Sequence, residues 1–458
     1  MVQLTFDDLR DLSREELTDL VLRLTEQVQQ LQAEVAELRK PPANSRNSSQ
    51  PPSRDWKANR TSGKRRKKRG AKVGHVKADR PLVDNPDQII PAKVTICNKC
   101  GTELSQVEPA QTLRRQVTEL PEIKPVVIET RQDVVVCPCC QTEQHGQLPE
   151  GLEAERHFGP RLEGLVTYLH HEQHMGFERV QTTLQTVLGI TLSEGGEVAM
   201  LERAGEAALP EAEAIGERVR QSPVIGSDET SARVNGRNWW EWVFIGGDAE
   251  YHIICPSRGQ VVIETFMGDR RAEVWRSDCW KPQLNAPADV HQLCIPHLIR
   301  NLQSLIDERP RLDWAQELQA LFRTAIHLHN RRDALTSPGF QGQVTRIEQR
   351  LDRLLERRVT GQRAVAMLNR LRTHRDHLFV FLYRTDVSPD NNACERALRP
   401  SVIHRKVLGS FRSEWGPRAY AALATVLNTA KRAGENVFQK LVSLMGKPVL
   451  HFVQPSIA

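Results

Sequence analysis

Cysteine is scarce, nine residues in 458, and the number is odd. The chain opens MVQLTFDDLRDL, with neither a basic start before an apolar core nor a small-residue cleavage site. No secretory leader is therefore expected, and with it goes the case for a disulfide framework, leaving metal binding or ordinary burial for the thiols. Long apolar runs are also missing. Nothing approaches the ~18 to 20 uninterrupted apolar residues of a spanning helix, so no membrane segment is expected. No internal repeat stands out. What is present is 39% hydrophobic and 26% charged sequence, enough for a core and a solvated surface. At roughly 150 residues per domain the length predicts about three folded units, in a multidomain, soluble, intracellular chain.

Charge is distributed unevenly. Residues 54 to 80 hold twelve Lys or Arg against Asp55 and Asp79, a net +10, which leaves −4 for the rest of a chain whose total is +6. The densest part is Lys64, Arg65, Arg66, Lys67, Lys68 and Arg69. Such a block repels itself and cannot bury, and a polyanion neutralises it, so nucleic acid is the natural partner. A solvated linker or a localisation tag is the competing reading.

Leu17, Val21, Leu24, Val28, Leu31, Val35 and Leu38 step by four and three without a slip. Val at each a and Leu at each d position favours a parallel two-stranded coiled coil, with Glu34 at g facing Arg39 at e of the partner helix. A helix packing on its own domain is the alternative. Pro41 and Pro42 stop the helix at Lys40, and PPANSRNSSQPPS then offers little to pack, so 41–80 reads as a flexible basic tether. Residues 158–220 read as helices, with a break at Gly189 and Thr191 capping the next helix three residues before Glu194. This is either a helix-turn-helix for a DNA groove or a plain helical linker domain. From Pro223 strand-like segments follow (SPVIGSD, NWWEWVFIG after an Asn235-Gly236 turn, EYHIICP and AEVWRSD), with a helix near VVIETFMG, indicating an α/β domain. Residues 296–385 are helical and heavily charged, and the α/β domain resumes near Ser388 with a helix from Asn391 to Pro400.

Two sets of residues carry chemistry. Cys97 and Cys100, and again Cys137 and Cys140, are separated by two residues, with 36 between the pairs. Paired knuckles suit tetrahedral thiolate coordination of a structural zinc. Cys140 is preferred to Cys139 because it restores the two-residue gap, and a β-hairpin from LRRQVTEL and VVIETRQDVVV is expected to fill the interval. Redox or simply buried thiols are the alternative. Cys294 and His297 make only half a site and read as a helix-start pair.

The second set is acidic. Asp228 and Asp278 each end an apolar strand, and Glu395 falls in the first turn of the helix opened by Asn391 and Asn392. Three carboxylates delivered from two strands and a helix are what a pair of Mg²⁺ ions needs for in-line phosphoryl displacement. Among 57 acidic residues, however, many Asp sit at strand ends for solubility or capping, so pattern alone leaves this trio one choice among several. Trp239, Trp240 and Trp242 alternate along a strand, as core residues do and as base-stacking residues also can.

SSQPPSRD after a short zipper, the two-knuckle unit, SDET at Asp228, VHQLCIPHLIRNL after Asp278 and DNNACERALRP at Glu395 occur in order over nearly the whole chain. Together they resemble the transposases of insertion-sequence 66 type elements. The resemblance implies a multidomain α/β protein with a ribonuclease H-like catalytic domain and an Asp-Asp-Glu triad on Asp228, Asp278 and Glu395. It implies a leucine zipper (1–40), the basic tether (41–80), a zinc-binding module (81–150), a helical domain (151–222), and a catalytic core (223–295 and 386–458) split by a helical insertion (296–385). It further implies two Mg²⁺ or Mn²⁺ ions, a structural Zn²⁺, and double-stranded DNA at element ends and target. A homodimer or higher oligomer, accessory proteins of the same element and a cytoplasmic, nucleoid-associated location go with it. Arg396, Arg399, Arg405 and Lys406 become candidates for phosphate contact, with solvated helix faces as the alternative. Two rivals share parts of this pattern: a DNA-binding regulator without catalysis and a ribonuclease H-like junction nuclease.

Overall fold

The computed structural model describes residues 13–38, 44, 46–48, 80–149 and 157–446. The basic run through Asp79, including Lys64, Arg65, Arg66, Lys67, Lys68 and Arg69, lies outside the described residues, as do Arg39 and Lys40. The chain divides into two compact units. Among the described residues, the smaller holds 80–126 with Val187–Gly189 and the larger holds the rest.

Over residues 80–126 of the smaller unit, order is confined to short turns. Ile96 bridges Glu103 across the first cysteine knuckle, and Val83 is tied to Arg114 and Gln116. No residue from 80 to 149 is buried. The hairpin expected between the knuckles does not form. The only paired strands there, β1 (Val134–Val136) and β2 (Glu143–His145), flank the second knuckle instead, in the larger unit. Valine-rich sequence favours a strand only where a sheet face buries it, and here Val117 and Val127 stay above 90% exposed.

The larger unit opens with α1 (Arg14–Leu38). A capping box starts it: Ser13 Oγ accepts from the Glu16 N–H at 3.3 Å, and a Glu16 carboxylate oxygen accepts from the Ser13 N–H at 2.9 Å. Leu17, Val21, Leu24 and Val28 line an exposed apolar side of this helix. One part of the supposed tether does pack: Asn47 is buried and its Nδ2 donates to Asp307 at 2.9 Å. A polar side chain docks through hydrogen bonds where an apolar one would need a core.

Next come α2 (Pro160–Thr167), a π turn (Tyr168–Glu172), α3 (Phe177–Leu188) and α4 (Glu194–Arg220). Gly189 breaks the chain at φ +67°, as its spacing suggests. The cap of α4 is Ser193, not Thr191: Ser193 accepts from the Gly196 N–H at 3.1 Å while Thr191 bonds Gln185. One side of α4, through Ala204, Ala208, Ala212, Ile215 and Val219, is buried in the core beneath the sheet.

That sheet has the order β5-β4-β3-β6-β7, built from β3 (Val224–Val234), β4 (Arg237–Gly246), β5 (Ala249–Cys255), β6 (Ala272–Ser277) and β7 (Ala288–Leu293). β3, β4 and β5 run antiparallel, whereas β6 and β7 run parallel to β3 and to each other. Asn235 and Gly236, both at positive φ, make the two-residue turn that right-twisted hairpin strands demand. Short helices α5 (Val261–Met267) and α6 (Lys281–Leu284) precede β6 and β7. α7 (Ile295–Glu308), α8 (Asp313–Asn330), α9 (Ser337–Glu356), α10 (Gln362–Thr373) and α11 (Val380–Tyr383) fill the expected helical stretch around their own core. The described residues end on α12 (Asn392–Leu408), α13 (Trp415–Arg432) and α14 (Val437–Leu444).

Alternation decides which residues face which layer. Trp242, Phe244, Ile225 and Trp275 lie in the core with α4, α5 and α13, each large ring contributing roughly 2–3 kcal/mol by burial. Val243 and Ile245 point the other way, onto Cys394, Ala397 and Leu398 of α12. Among the described residues no helix is long and apolar enough to cross a membrane.

Candidate active site and cysteine module

Asp228 does not end its strand. It lies within β3, directly opposite Val243, and the strand continues to Val234 because Ala232 and Val234 are buried in alternation with exposed Ser231 and Arg233. Sharing Val243's side of the sheet, Asp228 faces α12. β3 and β6 pair in parallel up to Gly226 and Arg276, and the same register carried two residues on sets Asp228 beside Asp278, just past the end of β6. Glu395 enters from the first turn of α12.

The start of α12 is pinned to β3. Asn391, buried, donates from Nδ2 to the Ser227 carbonyl at 2.7 Å, and its N–H donates to Cys294 Sγ at 3.4 Å. The approach is close at a glycine on the strand: a Cβ on Gly226 would lie 3.1 Å from Cys394 Sγ and Arg276 Nη2 and 3.2 Å from Asn391 Oδ1. Pro400, expected to end this helix, sits inside it. The proline forfeits one backbone donor, but Ser401 anchors the next turn through its hydroxyl to Glu241 at 2.7 Å.

The charges of its neighbours bear on Asp228. Asp228 is held well above the usual carboxylate range, first by burial and then by the charges of Glu229, Asp278 and Glu395, against one N–H donated by Glu229 at 2.9 Å. Asp278 accepts the Trp280 N–H at 2.9 Å. Among the described residues, no three His, Cys, Asp or Glu side chains form a finished ion cage. Carboxylate oxygens are the donor type that suits a hard divalent cation, and Asp228, Asp278 and Glu395 offer them on one side of the sheet without forming a closed ion site.

Sequence reading passed over Arg300 here and took His297 only as half of a helix-start pair. His297 Nε2 lies 3.6 Å and Arg300 Nη2 3.5 Å from Glu395 Oε1, one turn apart on α7. Burial first, then Arg300, push the imidazole down to about 4, so it is neutral at physiological pH. Cys294 is the helix-start residue that its position suggested, capping α7. His297 turns instead towards the acidic edge, and the signal available was its place in VHQLCIPHLIRNL. Of the basic candidates, Arg396, Arg399 and Lys406 are exposed and Arg405 is half-buried, and among the described residues none has an ion-pair partner. Trp242 is core, with Nε1 donating to the Ser257 carbonyl at 3.1 Å.

The knuckles are two copies of one turn. In each, the first cysteine's N–H donates to a threonine carbonyl at 2.9 Å, Cys97 to Thr102 and Cys137 to Thr142. The residue after the second cysteine is left-handed, Gly101 at φ +76° and Gln141 at +58°, and donates back to the first cysteine's carbonyl. A Glu ends each copy, Glu103 opposite Ile96 and Glu143 opposite Val136. This is a short internal repeat that sequence reading overlooked. Cys140 occupies the place of Cys100, and Cys139 that of Lys99. The Thr102 and Thr142 hydroxyls, 3.2 and 2.9 Å from the sulfurs, lower Cys100 and Cys140 to about 7. Thiols so poised present thiolate at neutral pH, the form that binds zinc.

Residues 156–419 match the Transposase IS66 family, residues 95–141 the zinc-finger binding domain of transposase IS66, and residues 6–81 a family of unknown function (DUF6444). A search of curated proteins returned no match. The first match spans more than half of the chain and contains Asp228, Asp278, Glu395, His297 and Arg300; the chain belongs to the Transposase IS66 family. The second contains every cysteine of the two knuckles.

Proposed function

We propose that this transposase cuts and joins DNA with a ribonuclease H-like domain whose catalytic residues are Asp228, Asp278 and Glu395. The observation that carries the proposal is that Asp228 lies in β3 and Asp278 one residue past the end of its parallel neighbour β6, with Glu395 in the first turn of α12, which packs on Asp228's side of the sheet. A sheet of three antiparallel strands continued by two parallel ones supports the ribonuclease H-like assignment. Mg²⁺ or Mn²⁺ bound by the three carboxylates would supply activation of the attacking oxygen and neutralisation of the leaving one. Asp228 and Asp278, side by side, would hold the ions that meet the reacting phosphate from the strand side. Glu395 closes the third side, and Arg300 donates to its carboxylate and holds it at the cleft, with the His297 ring beside them. The reaction is cleavage at an element end to give a 3′ hydroxyl, followed by attack of that hydroxyl on target DNA.

Binding is assigned to other parts of the chain. Cys97, Cys100, Cys137 and Cys140 hold a structural zinc, the exposed apolar side of α1 pairs with a second copy, and the basic run with Arg396, Arg399, Arg405 and Lys406 neutralises phosphates of the terminal inverted repeats and target. The test is strand transfer by Asp228→Ala against wild type, with end binding measured in parallel. Loss of Mg²⁺-dependent joining with end binding retained is expected. Wild-type protein that binds the ends tightly yet never joins them would be a regulator, and cleavage of branched DNA without end preference would make it a junction nuclease.

A further inference from the structure

We propose that Arg258 is a positioning residue that holds Asp278 in place beside Asp228 from the far side of the sheet. This rests on reading the acidic trio as a divalent-ion site. Arg258 lies between β5 and α5, and no sequence pattern marks it. Its guanidinium donates to Glu229 Oε1 from Nη2 at 2.8 Å and from Nε at 3.1 Å. It also lies over two indoles, 4.2 Å from the Trp280 ring centre and 4.5 Å from that of Trp240. The other Glu229 oxygen accepts from Gln283 Nε2 at 2.5 Å, and Gln283 lies in α6, the helix that Trp280 caps.

These contacts join the two strands that carry the aspartates. Glu229 follows Asp228 in β3 but pairs with Trp242, on the opposite side of the sheet, so the Arg258 fork leaves the Asp228 side open. Asp278 lies one residue beyond the last β6–β7 pair, Ser277 and Leu293, and ladder hydrogen bonds do not fix it. What fixes its carboxylate is the Trp280 N–H at 2.9 Å, and the Trp280 ring is held between Arg258 and the fully buried Trp242, whose ring centre is 6.0 Å away. The path Glu229–Arg258–Trp280–Asp278 thus sets the spacing of the two carboxylates. Groups behind metal ligands commonly decide affinity in this way, and removing one typically costs 10- to 100-fold. Lysine cannot substitute, because it has neither the planar fork nor the stacking face.

The experiment measures Mn²⁺ binding to the full-length protein by electron paramagnetic resonance, with Asp228→Asn as the reference for a lost site. Arg258→Ala should weaken Mn²⁺ binding at least about tenfold and raise the Mg²⁺ needed for strand transfer by the same factor, with DNA-end binding unchanged. Arg258→Lys keeps the charge and the aliphatic stem. It should melt like wild type yet bind Mn²⁺ as poorly as the alanine variant, a split that a merely structural role would not produce. Either variant, folded and binding Mn²⁺ as tightly as wild type, overturns the proposal. Wild type and Asp228→Asn binding Mn²⁺ alike would show that the acidic trio holds no ion, which removes the carboxylate reading and the clamp together.

Discussion

Glu197 lies in the first turn of α4, is 0% exposed, and has no hydrogen-bond partner for either carboxylate oxygen among the described residues. Burial first, and Glu194 second, push its acid from 4.5 to about 7. Below pH 4.5 both folded and unfolded chains are protonated there, and the group contributes nothing to stability. Between 4.5 and 7 the unfolded chain ionises while the folded one keeps its proton, so stability falls by ~1.4 kcal/mol per pH unit. Above about 7 both ionise and the loss levels off at about 3 kcal/mol. Glu197→Gln cannot ionise and lacks this fall. Its own buried amide costs ~1–3 kcal/mol, but that cost is independent of pH and drops out of a comparison across pH. Urea unfolding of both proteins, followed by far-ultraviolet circular dichroism from pH 4.5 to 8.5, gives the difference directly. The variant should gain about 3 kcal/mol on wild type across that range, most of it below pH 7.5. A difference that stays flat would refute the reasoning, because it would mean that the carboxylate is solvated or paired.

Two other perturbations follow from the geometry. Gly226→Ala puts a methyl group 3.1–3.2 Å from Cys394 Sγ and Asn391 Oδ1; the start of α12 must give way, costing ~1–3 kcal/mol by thermal unfolding, and strand transfer should fall far more than end binding. Zinc removal by a chelator should abolish what order the 80–149 stretch has, since no residue there is buried. Hydrogen exchange would then rise throughout 80–149 and stay unchanged in the sheet, and protection that survives chelation would contradict this.

Much of the architecture was legible where one layer dictates pattern. The Asn235-Gly236 turn, the apolar runs of β3 to β6 and the helical stretch beyond Ile295 read directly, because alternation or helical spacing leaves few other solutions. β7 was missed because His291 and Gln292 are buried polar residues: Gln292 is satisfied by the carbonyls of Leu293 and Leu378 and by the Phe381 N–H, none of which a pattern displays. Asp228 read as a strand end because the polar run SDETS interrupts the apolar signal, although Ala232 and Val234 carry the alternation on. At Pro400 tertiary anchoring overrode local propensity. Arg258 was invisible, and His297 was read only as half of a helix-start pair, for a different reason: their partners, Glu229 and Glu395, are brought to them only by the completed fold.

The central claim is that Asp228, Asp278 and Glu395 share bound divalent ions. Replacing Mg²⁺ with Fe²⁺ and adding ascorbate and peroxide generates hydroxyl radicals at the ion, which cut the backbone nearby. Cuts at all three positions, suppressed by excess Mg²⁺ and absent in Asp228→Asn, are the predicted result. Cuts confined to other parts of the chain, or at only one of the three, would contradict it.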